Sequence, residues 1–137
     1  MIESVKFDKI ISNPPFFNSA KKTDITKREM ARHQHSLELE ELLLKANELL
    51  VNNGELDFIF PSDGISESEI NSLGFLIKKE CSVFGSEYGK SKRKLYTLVK
   101  HTEKTQSIKK KESKIVLGLK RGKRHRSFNK LTNDFYL

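Results

Sequence analysis

The chain has 137 residues, of which 36% are apolar and 32% are charged. This length allows one domain, and the composition is typical of a folded globular chain and excludes a disordered one. No apolar segment reaches the roughly 18 residues that a membrane-spanning helix needs, so no transmembrane protein and no membrane partner are expected. No secretory signal is expected at the N-terminus. The single cysteine excludes a disulfide scaffold and a cysteine-based zinc site, and it predicts a cytoplasmic location.

The formal net charge is +8, and the positive charge is concentrated in the last quarter of the chain. Residues 104–137 carry eleven Lys and Arg against two acidic residues, whereas residues 1–103 have a net charge of −1. This distribution indicates a polyanionic partner, of which nucleic acid is the first candidate. A lysine-rich segment that serves only solubility accounts for the charge equally well at this point.

The first part of the chain is predicted to contain a strand, a helix and a second strand. Residues 7–11 predict the first strand, which ends at two prolines because proline cannot donate a hydrogen bond to a sheet. The polar and mostly basic residues 18–35 predict a loop or a mobile helix. Ser36 is the expected N-cap of a helix whose Leu and Ala residues repeat at helical spacing as far as Leu50. Residues 55–60 predict the second strand.

The next part is predicted to contain a short helix and two strands. Ser66 and Glu69 have the spacing of a capping box, which predicts a helix that continues to Ile77. A third strand is expected at residues 81–84. A fourth is expected at residues 94–100, after a loop rich in Gly, Ser and Lys.

The order of these elements predicts the fold class. Strands that alternate with helices are typical of a largely parallel α/β sheet. The third and fourth strands lie too close in sequence for a helical crossover, so we expect them to pair antiparallel. Residues 115–117 predict a fifth strand beyond a lysine-rich linker.

The loop after the first strand contains Asn13-Pro14-Pro15-Phe16. This sequence resembles the active-site loop of the N6-adenine methyltransferases, which is Asn, Asp or Ser followed by Pro-Pro and an aromatic residue at the end of the fourth strand. Open α/β sheets bind ligands at the carboxyl ends of their strands, which favours a functional interpretation. The alternative is that Asn-Pro-Pro forms only a turn.

The resemblance implies a role for each residue of this loop. An adenine amino nitrogen is a poor nucleophile because its lone pair is delocalised into the ring. The side-chain oxygen of Asn13 and the carbonyl of Pro14 would accept hydrogen bonds from the two amino hydrogens and favour sp3 character. Pro15 would stiffen the loop, Phe16 would stack on a flipped base, and Phe17 would line the pocket.

Further segments of the sequence narrow the resemblance to one family of N6-adenine methyltransferases. Residues 28–33 and 36–43 resemble the segment that follows the motif in the tRNA1(Val) (adenine-N6)-methyltransferase family, and residues 131–137 resemble the C-terminus of that family. The resemblance implies a Rossmann-like class I methyltransferase fold, with S-adenosylmethionine as cofactor and Asn13 beside it. The implied substrate is N6 of the adenine next to the anticodon of a valine tRNA.

The chain departs from the family because it has no glycine-rich turn and no acidic residue for the cofactor ribose. It therefore looks like the C-terminal half of the enzyme, with an incomplete cofactor site. Residues 1–103 are expected to form a partial methyltransferase domain from its fourth strand onward, and residues 104–137 a basic segment of the same domain. A truncated gene product, a fragment and one part of a split enzyme remain open. The exposed first strand is expected to pair with a missing N-terminal half or with a second copy.

Basic residues near the loop and farther along the chain are candidate RNA contacts, because phosphate contacts come mainly from Lys and Arg. They are Lys21, Lys22, Arg28, Arg32, His33, Lys90, Lys92, Arg93, Lys120, Arg121, Lys123, Arg124 and Arg126. Solvated surface is the alternative interpretation for each of them. His33 and His35 have no Cys or carboxylate partners at ligand spacing, so no metal site is predicted.

Two rival functions remain open from the sequence. Methyltransferases for glutamine in release factors and for guanine N2 in RNA have similar Asn-Pro-Pro loops. A non-catalytic RNA-binding fragment would keep the basic surface and lose the cofactor, and the missing glycine-rich turn favours that reading.

Overall fold

The computed structural model describes residues 4–14, 25–62, 64–102, 108–118 and 125–132, without the side chains of residues 25, 127 and 128. The elements in chain order are β1 (Phe7–Ser12), α1 (Ile25–Leu49), β2 (Leu50–Pro61), α2 (Glu67–Ser72), β3 (Phe75–Ser86), β4 (Arg93–Lys100), β5 (Lys111–Gly118) and α3 (Arg126–Thr132). In this described part, no helix combines the length and the apolar character needed to cross a membrane.

The strands form one five-stranded sheet in the order β1-β2-β4-β3-β5. β1 is parallel to β2, β5 is parallel to β3, and β4 is antiparallel to both of its neighbours. The expected antiparallel pairing of the third and fourth strands and the fifth strand are therefore confirmed. Because β1, β2, β3 and β5 run in one direction, their last residues meet at one border of the sheet. We call this border the carboxyl edge; β4 begins there.

The core lies between one face of the sheet and the helices α1 and α2. Leu39, Leu43 and Ala46 form a buried stripe on α1 and belong to one cluster with alternate residues of β2, among them Phe58. The ring of Phe58 stacks on that of Tyr96 with a centroid separation of 5.3 Å. Burial of these large side chains is the main driving force for packing α1 on the sheet.

Helix α1 begins at Ile25, and the predicted N-cap at Ser36 is wrong because Ser36 lies inside this helix. The preceding residues are mostly Lys, Arg, Glu, Met, Ala and Gln, which have good helix propensity. Their polarity predicted a loop or a mobile helix, and the structure makes them the first turns of α1, which are mostly exposed until the buried stripe begins at His35.

The capping box is present, but helix α2 is shorter than predicted. The backbone N–H of Ser66 donates to Glu69 Oε2 at 2.8 Å, and the backbone N–H of Glu69 donates to Ser66 Oγ at 3.3 Å. The helix ends at Ser72, and Ile77 lies in β3. Gly74, two residues after the end of the helix, has a φ of +88°, a left-handed conformation that favours glycine and that prevents the helix from continuing.

The C-terminus of α1 is held by lysine side chains from the sheet region. Lys100 Nζ donates to the carbonyl oxygens of Asn47 at 2.6 Å and of Leu50 at 3.0 Å, and Lys6 Nζ donates to the carbonyl of Glu48. Cations at this end also interact favourably with the helix dipole.

Lys100→Met is expected to lower the free energy of unfolding by about 1–2 kcal/mol, because two carbonyls lose a charged donor while the aliphatic stem is kept. Urea denaturation followed by circular dichroism measures the change. Lys109→Met, at an exposed position, is the matched control. Equal stabilities of the two variants would contradict a capping role.

Candidate functional site

The motif lies at the carboxyl edge of the sheet. Asn13 and Pro14 directly follow β1; Asn13 is exposed and Pro14 is half-buried. Pro15, Phe16 and Phe17 lie outside the described residues. The structure thus places the beginning of the motif where a strand of an open α/β sheet presents ligand-binding groups.

Asn13 lines a cleft of about 200 Å³. Its lining residues come from α1, from β2, from the start of β4 and from the residues that follow β1 and precede β4. They are Asn13, His35, Ile59, Phe60, Pro61, Lys92 and Arg93. The cleft has an apolar floor, one carboxamide and two basic side chains. Such a combination suits a planar apolar ring with an attached anionic group.

Strand pairing explains why Lys92 and Arg93 reach this cleft. Pro61 at the end of β2 is paired with Arg93 at the start of β4. The backbone N–H of Ser62 donates to the carbonyl of Lys92 at 3.1 Å. Ser91 Oγ lies 2.9 Å from both Ser62 Oγ and the carbonyl oxygen of Arg93. These contacts fix Lys92 and Arg93, which we call the basic pair, beside the end of β2.

The structure brings only some of the predicted RNA contacts together. Lys92 and Arg93 share the cleft with Asn13, and Arg93 is the first residue of β4 rather than part of the preceding loop. Lys90, Arg28, Arg32, His33 and Arg126 are exposed but do not line this cleft. Lys21, Lys22, Lys120, Arg121, Lys123 and Arg124 lie outside the described residues.

His35 lines the cleft and was not predicted to belong to the site. It is buried, with 9% of its surface exposed. Its position one turn before Leu39 and two turns before Leu43 on the same helical stripe is the signal that could have identified it.

A second cleft of about 320 Å³ lies farther along the carboxyl edge, between β3, β5 and α3. It contains Arg126, Lys114 and a pair in which His125 Nε2 lies 2.8 Å from Glu87 Oε1. Positive side chains therefore occur at both clefts along this border of the sheet.

Lys94, next to the basic pair, is engaged by an acidic partner in the sheet. Glu80 Oε1 lies 2.7 Å from Lys94 Nζ, and Glu80 Oε2 lies 3.4 Å from Lys110 Nζ. Burial acts to raise the pKa of Glu80, but the hydrogen bond and charge of Lys94, with those of Lys110, hold it below its usual value. Burial, with the nearby Glu80, raises the pKa of Tyr96 to about 12.

The lowered pKa of Glu80 predicts an acid-sensitive fold. The stabilisation is present above the ordinary carboxyl pKa and is lost as the pH falls through the lower folded-state value. We expect the urea midpoint to fall between about pH 5 and pH 3, and Glu80→Gln to make this decline less steep. Glu41→Gln, at an exposed position on α1, is the control. An unchanged slope in Glu80→Gln would contradict this assignment.

Comparison with solved structures defines the class of fold. The chain superposes on a protein from Agrobacterium tumefaciens that is described as a predicted O-methyltransferase, with a TM-score of 0.54 and 14% identity, over 93% of this chain and 51% of the other. The expected class is confirmed: the sheet is part of a class I methyltransferase fold.

Curated relatives define the particular family. A Bacteroides fragilis protein is 32% identical over 98% of this chain, and a Christiangramia forsetii protein is 34% identical over all of it. A Porphyromonas gingivalis protein is 43% identical over 49% of the chain and 26% of its own length. All three are named tRNA1(Val) (adenine(37)-N6)-methyltransferase.

The chain is thus a homologue of the tRNA1(Val) (adenine(37)-N6)-methyltransferases, and the family predicted from its sequence is confirmed. It spans about half of their length, 55% for the Bacteroides fragilis relative and 56% for the Christiangramia forsetii relative. No protein-family model matches the chain.

Proposed function

We propose that this chain provides the base-binding part of an S-adenosylmethionine-dependent methyltransferase that acts on adenine N6 in tRNA. The observation that carries the proposal is the position of Asn13 at the carboxyl edge, on a cleft that is also lined by Lys92 and Arg93. The names of the relatives support tRNA as the substrate and adenine as the methylated base.

The chain's own residues orient the reacting amino group. The side-chain oxygen of Asn13 accepts a hydrogen bond from one amino hydrogen and the carbonyl of Pro14 accepts one from the other, which favours sp3 character at the nitrogen and makes its lone pair less delocalised into the ring. Pro15 stiffens the loop, Phe16 stacks on the base, and Phe17 lines the pocket. Because the nitrogen becomes cationic on methylation, its proton leaves to solvent afterwards and no general base is required.

The cofactor fits only partly on this chain. Among the described residues, only the end of β1 with Asn13 corresponds to the implied cofactor site, and the sequence has no Gly-x-Gly turn ahead of the Asn13 motif. S-adenosylmethionine supplies the methyl group when it is bound. The residues that bind its remaining parts therefore belong to the polypeptide that the relatives have beyond the matched half.

The basic residues serve the RNA backbone in this proposal. Lys92 and Arg93 contact the phosphates next to the flipped adenine. Phosphates farther along the tRNA backbone are contacted by the exposed residues Arg28, Arg32, His33, Lys90 and Arg126. The contacts assigned to Lys21, Lys22, Lys120, Arg121, Lys123 and Arg124 stay predictions, as do the division at residues 103 and 104 and the cytoplasmic location.

A chimera tests the proposed function. The matched part of the Bacteroides fragilis relative is replaced by this chain, and transfer of labelled methyl to unmodified tRNA is followed by nucleoside mass spectrometry. N6-methyladenosine is the expected product. N2-methylguanosine, or methylation of a release factor instead of tRNA, would overturn the adenine assignment. If a folded chimera binds tRNA in a salt-sensitive way but transfers no methyl group, the result would overturn the catalytic proposal in favour of a non-catalytic RNA-binding fragment.

The basic pair gives a prediction for tRNA binding by the chain itself. Replacing both Lys92 and Arg93 with Gln is expected to reduce the slope of log Kd against log salt by about 1–2, since each phosphate contact contributes about 0.7–0.9. Fluorescence anisotropy with labelled tRNA measures the slope. Replacing the exposed Lys45 and Lys109 with Gln is the charge-matched control. Equal slopes for the two double variants would contradict a phosphate contact at the cleft.

A further inference from the structure

The buried stripe of α1 begins with a polar side chain. One turn before Leu39 and two turns before Leu43, the same helical face carries His35. Apart from Tyr96, whose ring belongs to the core, His35 is the only buried residue with a polar side chain in the described part of the chain. Burial of an imidazole requires hydrogen bonds to offset its lost hydration, whereas a leucine here would simply lengthen the stripe. Such a departure from the local pattern is expected at functional sites.

The course of α1 explains why this histidine reaches the cleft. The helix follows β1 and therefore begins on the side of the carboxyl edge. Residues 26–34 are exposed apart from the half-buried Ala31, and at 1.5 Å per residue they extend the helix by about 14 Å ahead of its buried part. His35 is the first buried residue of α1, and it lines the cleft together with Asn13 and Phe60. It therefore lies where the core ends and the cleft begins.

The cleft presents hydrogen-bond donors at two levels of burial. Lys92 and Arg93 are exposed, whereas His35 and Phe60 are buried. When a protein extracts a base from an RNA, the phosphates stay near solvent and the base enters the enclosed part of the pocket. The exposed cations therefore suit the RNA backbone, and the buried imidazole suits the base.

Adenine is chemically complementary to this arrangement. The N6 amino group is the only hydrogen-bond donor of the base, and its unsubstituted ring nitrogens are acceptors. In the proposed function, Asn13 and Pro14 accept both amino hydrogens, so the remaining hydrogen-bonding atoms of the base need donors. An imidazole carries at least one N–H group in either ionisation state, so it can supply such a donor.

We infer that His35 is a base-recognition residue, whose imidazole donates a hydrogen bond to N1 or N7 of the flipped adenine, the ring nitrogens on either side of the amino group. The inference rests on the proposed function, because it concerns the same cleft and the same substrate. With N1 as the acceptor, His35 also selects against guanine, whose N1 carries a hydrogen and would leave two donors facing each other.

Two substitutions in the chimera separate hydrogen-bond donation from packing. His35→Leu keeps an apolar side chain in the stripe but removes the donor, and it is expected to lower kcat/KM for tRNA by about tenfold. His35→Gln keeps an N–H donor and is expected to remain within about threefold of the unsubstituted chimera. His101→Leu is the matched control, because His101 is exposed and does not line the cleft, and kcat/KM is expected to be unchanged. Circular dichroism of each variant checks its folding.

Single-atom changes in the base identify the acceptor. Full-length tRNA is prepared with 1-deazaadenosine or 7-deazaadenosine at the methylated position, which replaces one ring nitrogen with C–H. One analogue is expected to lower kcat/KM by about tenfold more in the unsubstituted chimera than in His35→Leu, whereas the other lowers it equally in both. Intrinsic effects of the analogue on reactivity cancel in this comparison. The remaining coupling requires a contact between His35 and that ring nitrogen, and a packing role would not produce it.

The inference is overturned if the chimera forms N6-methyladenosine but both analogues lower kcat/KM equally in the unsubstituted chimera and in His35→Leu. That result would assign His35 to packing and leave the proposed function standing. A folded chimera that binds tRNA but forms no N6-methyladenosine would contradict the proposed function, and the inference with it. The methylated product therefore distinguishes the two failures.

Discussion

Asn13→Ala in the chimera is expected to lower kcat for tRNA methylation by about 10²–10³, with the KM for tRNA nearly unchanged. The Asn13 carboxamide is exposed at the end of β1 and contributes a single oriented acceptor. Its contribution grows as the amino nitrogen loses its planar character, so the loss falls mainly on the chemical step and little on binding.

Single-turnover kinetics with saturating tRNA measure this effect directly. Asn71→Ala is the matched control, because Asn71 is an exposed asparagine on α2. A less than tenfold change in kcat for Asn13→Ala, or a change confined to KM, would contradict the proposed role of Asn13 and would favour the interpretation of Asn-Pro-Pro as a turn.

Phe60→Ala is expected to lower the free energy of unfolding by about 3–5 kcal/mol, because it removes a fully buried aromatic ring from the centre of the core. A domain of this size has a total stability of only about 5–15 kcal/mol, so the variant is expected to be largely unfolded at moderate urea concentrations. Tyr88→Ala, which removes an aromatic ring that is 74% exposed, is expected to change the stability by less than about 0.5 kcal/mol.

A double-mutant cycle locates the packing partner of this ring. A Cβ atom on Gly64 would lie 1.8 Å from Phe60 Cε1, so Gly64→Ala alone is also expected to be destabilising. In the Phe60→Ala background the added methyl group enters the vacated space, and the two changes are expected to be strongly non-additive. Additive effects in urea denaturation would show that the ring and the glycine do not share this contact.

The two predictions concern adjacent features. Phe60 forms part of the floor of the cleft onto which Asn13 opens, and His35 on α1 packs there as well. The core that holds α1 on the sheet therefore also shapes the candidate site. We expect the base-binding loop to depend on this packing for its geometry.

Several parts of the fold follow from local signals in the sequence. The capping box at Ser66 is formed by residues three positions apart, and the antiparallel pairing of β3 and β4 follows from their short connection. The family resemblance rests on contiguous segments around Asn13. The predicted helix after Ser36 was right in its apolar stripe and wrong in its start, because helix propensity in a polar segment gives no boundary.

The sequence by itself determined the α/β class, the stripe that packs α1, the family and the motif at Asn13, because these depend on residue types at short and regular spacings. The tertiary structure decided that Lys92 and Arg93 share a cleft with Asn13 and that His35 lines it. It also decided that Ile11, Leu95 and Cys81 line one depression on the face of the sheet opposite α1 and α2. These groups are distant in the chain and are brought together by the order β1-β2-β4-β3, which long-range strand pairing fixes and no local pattern encodes.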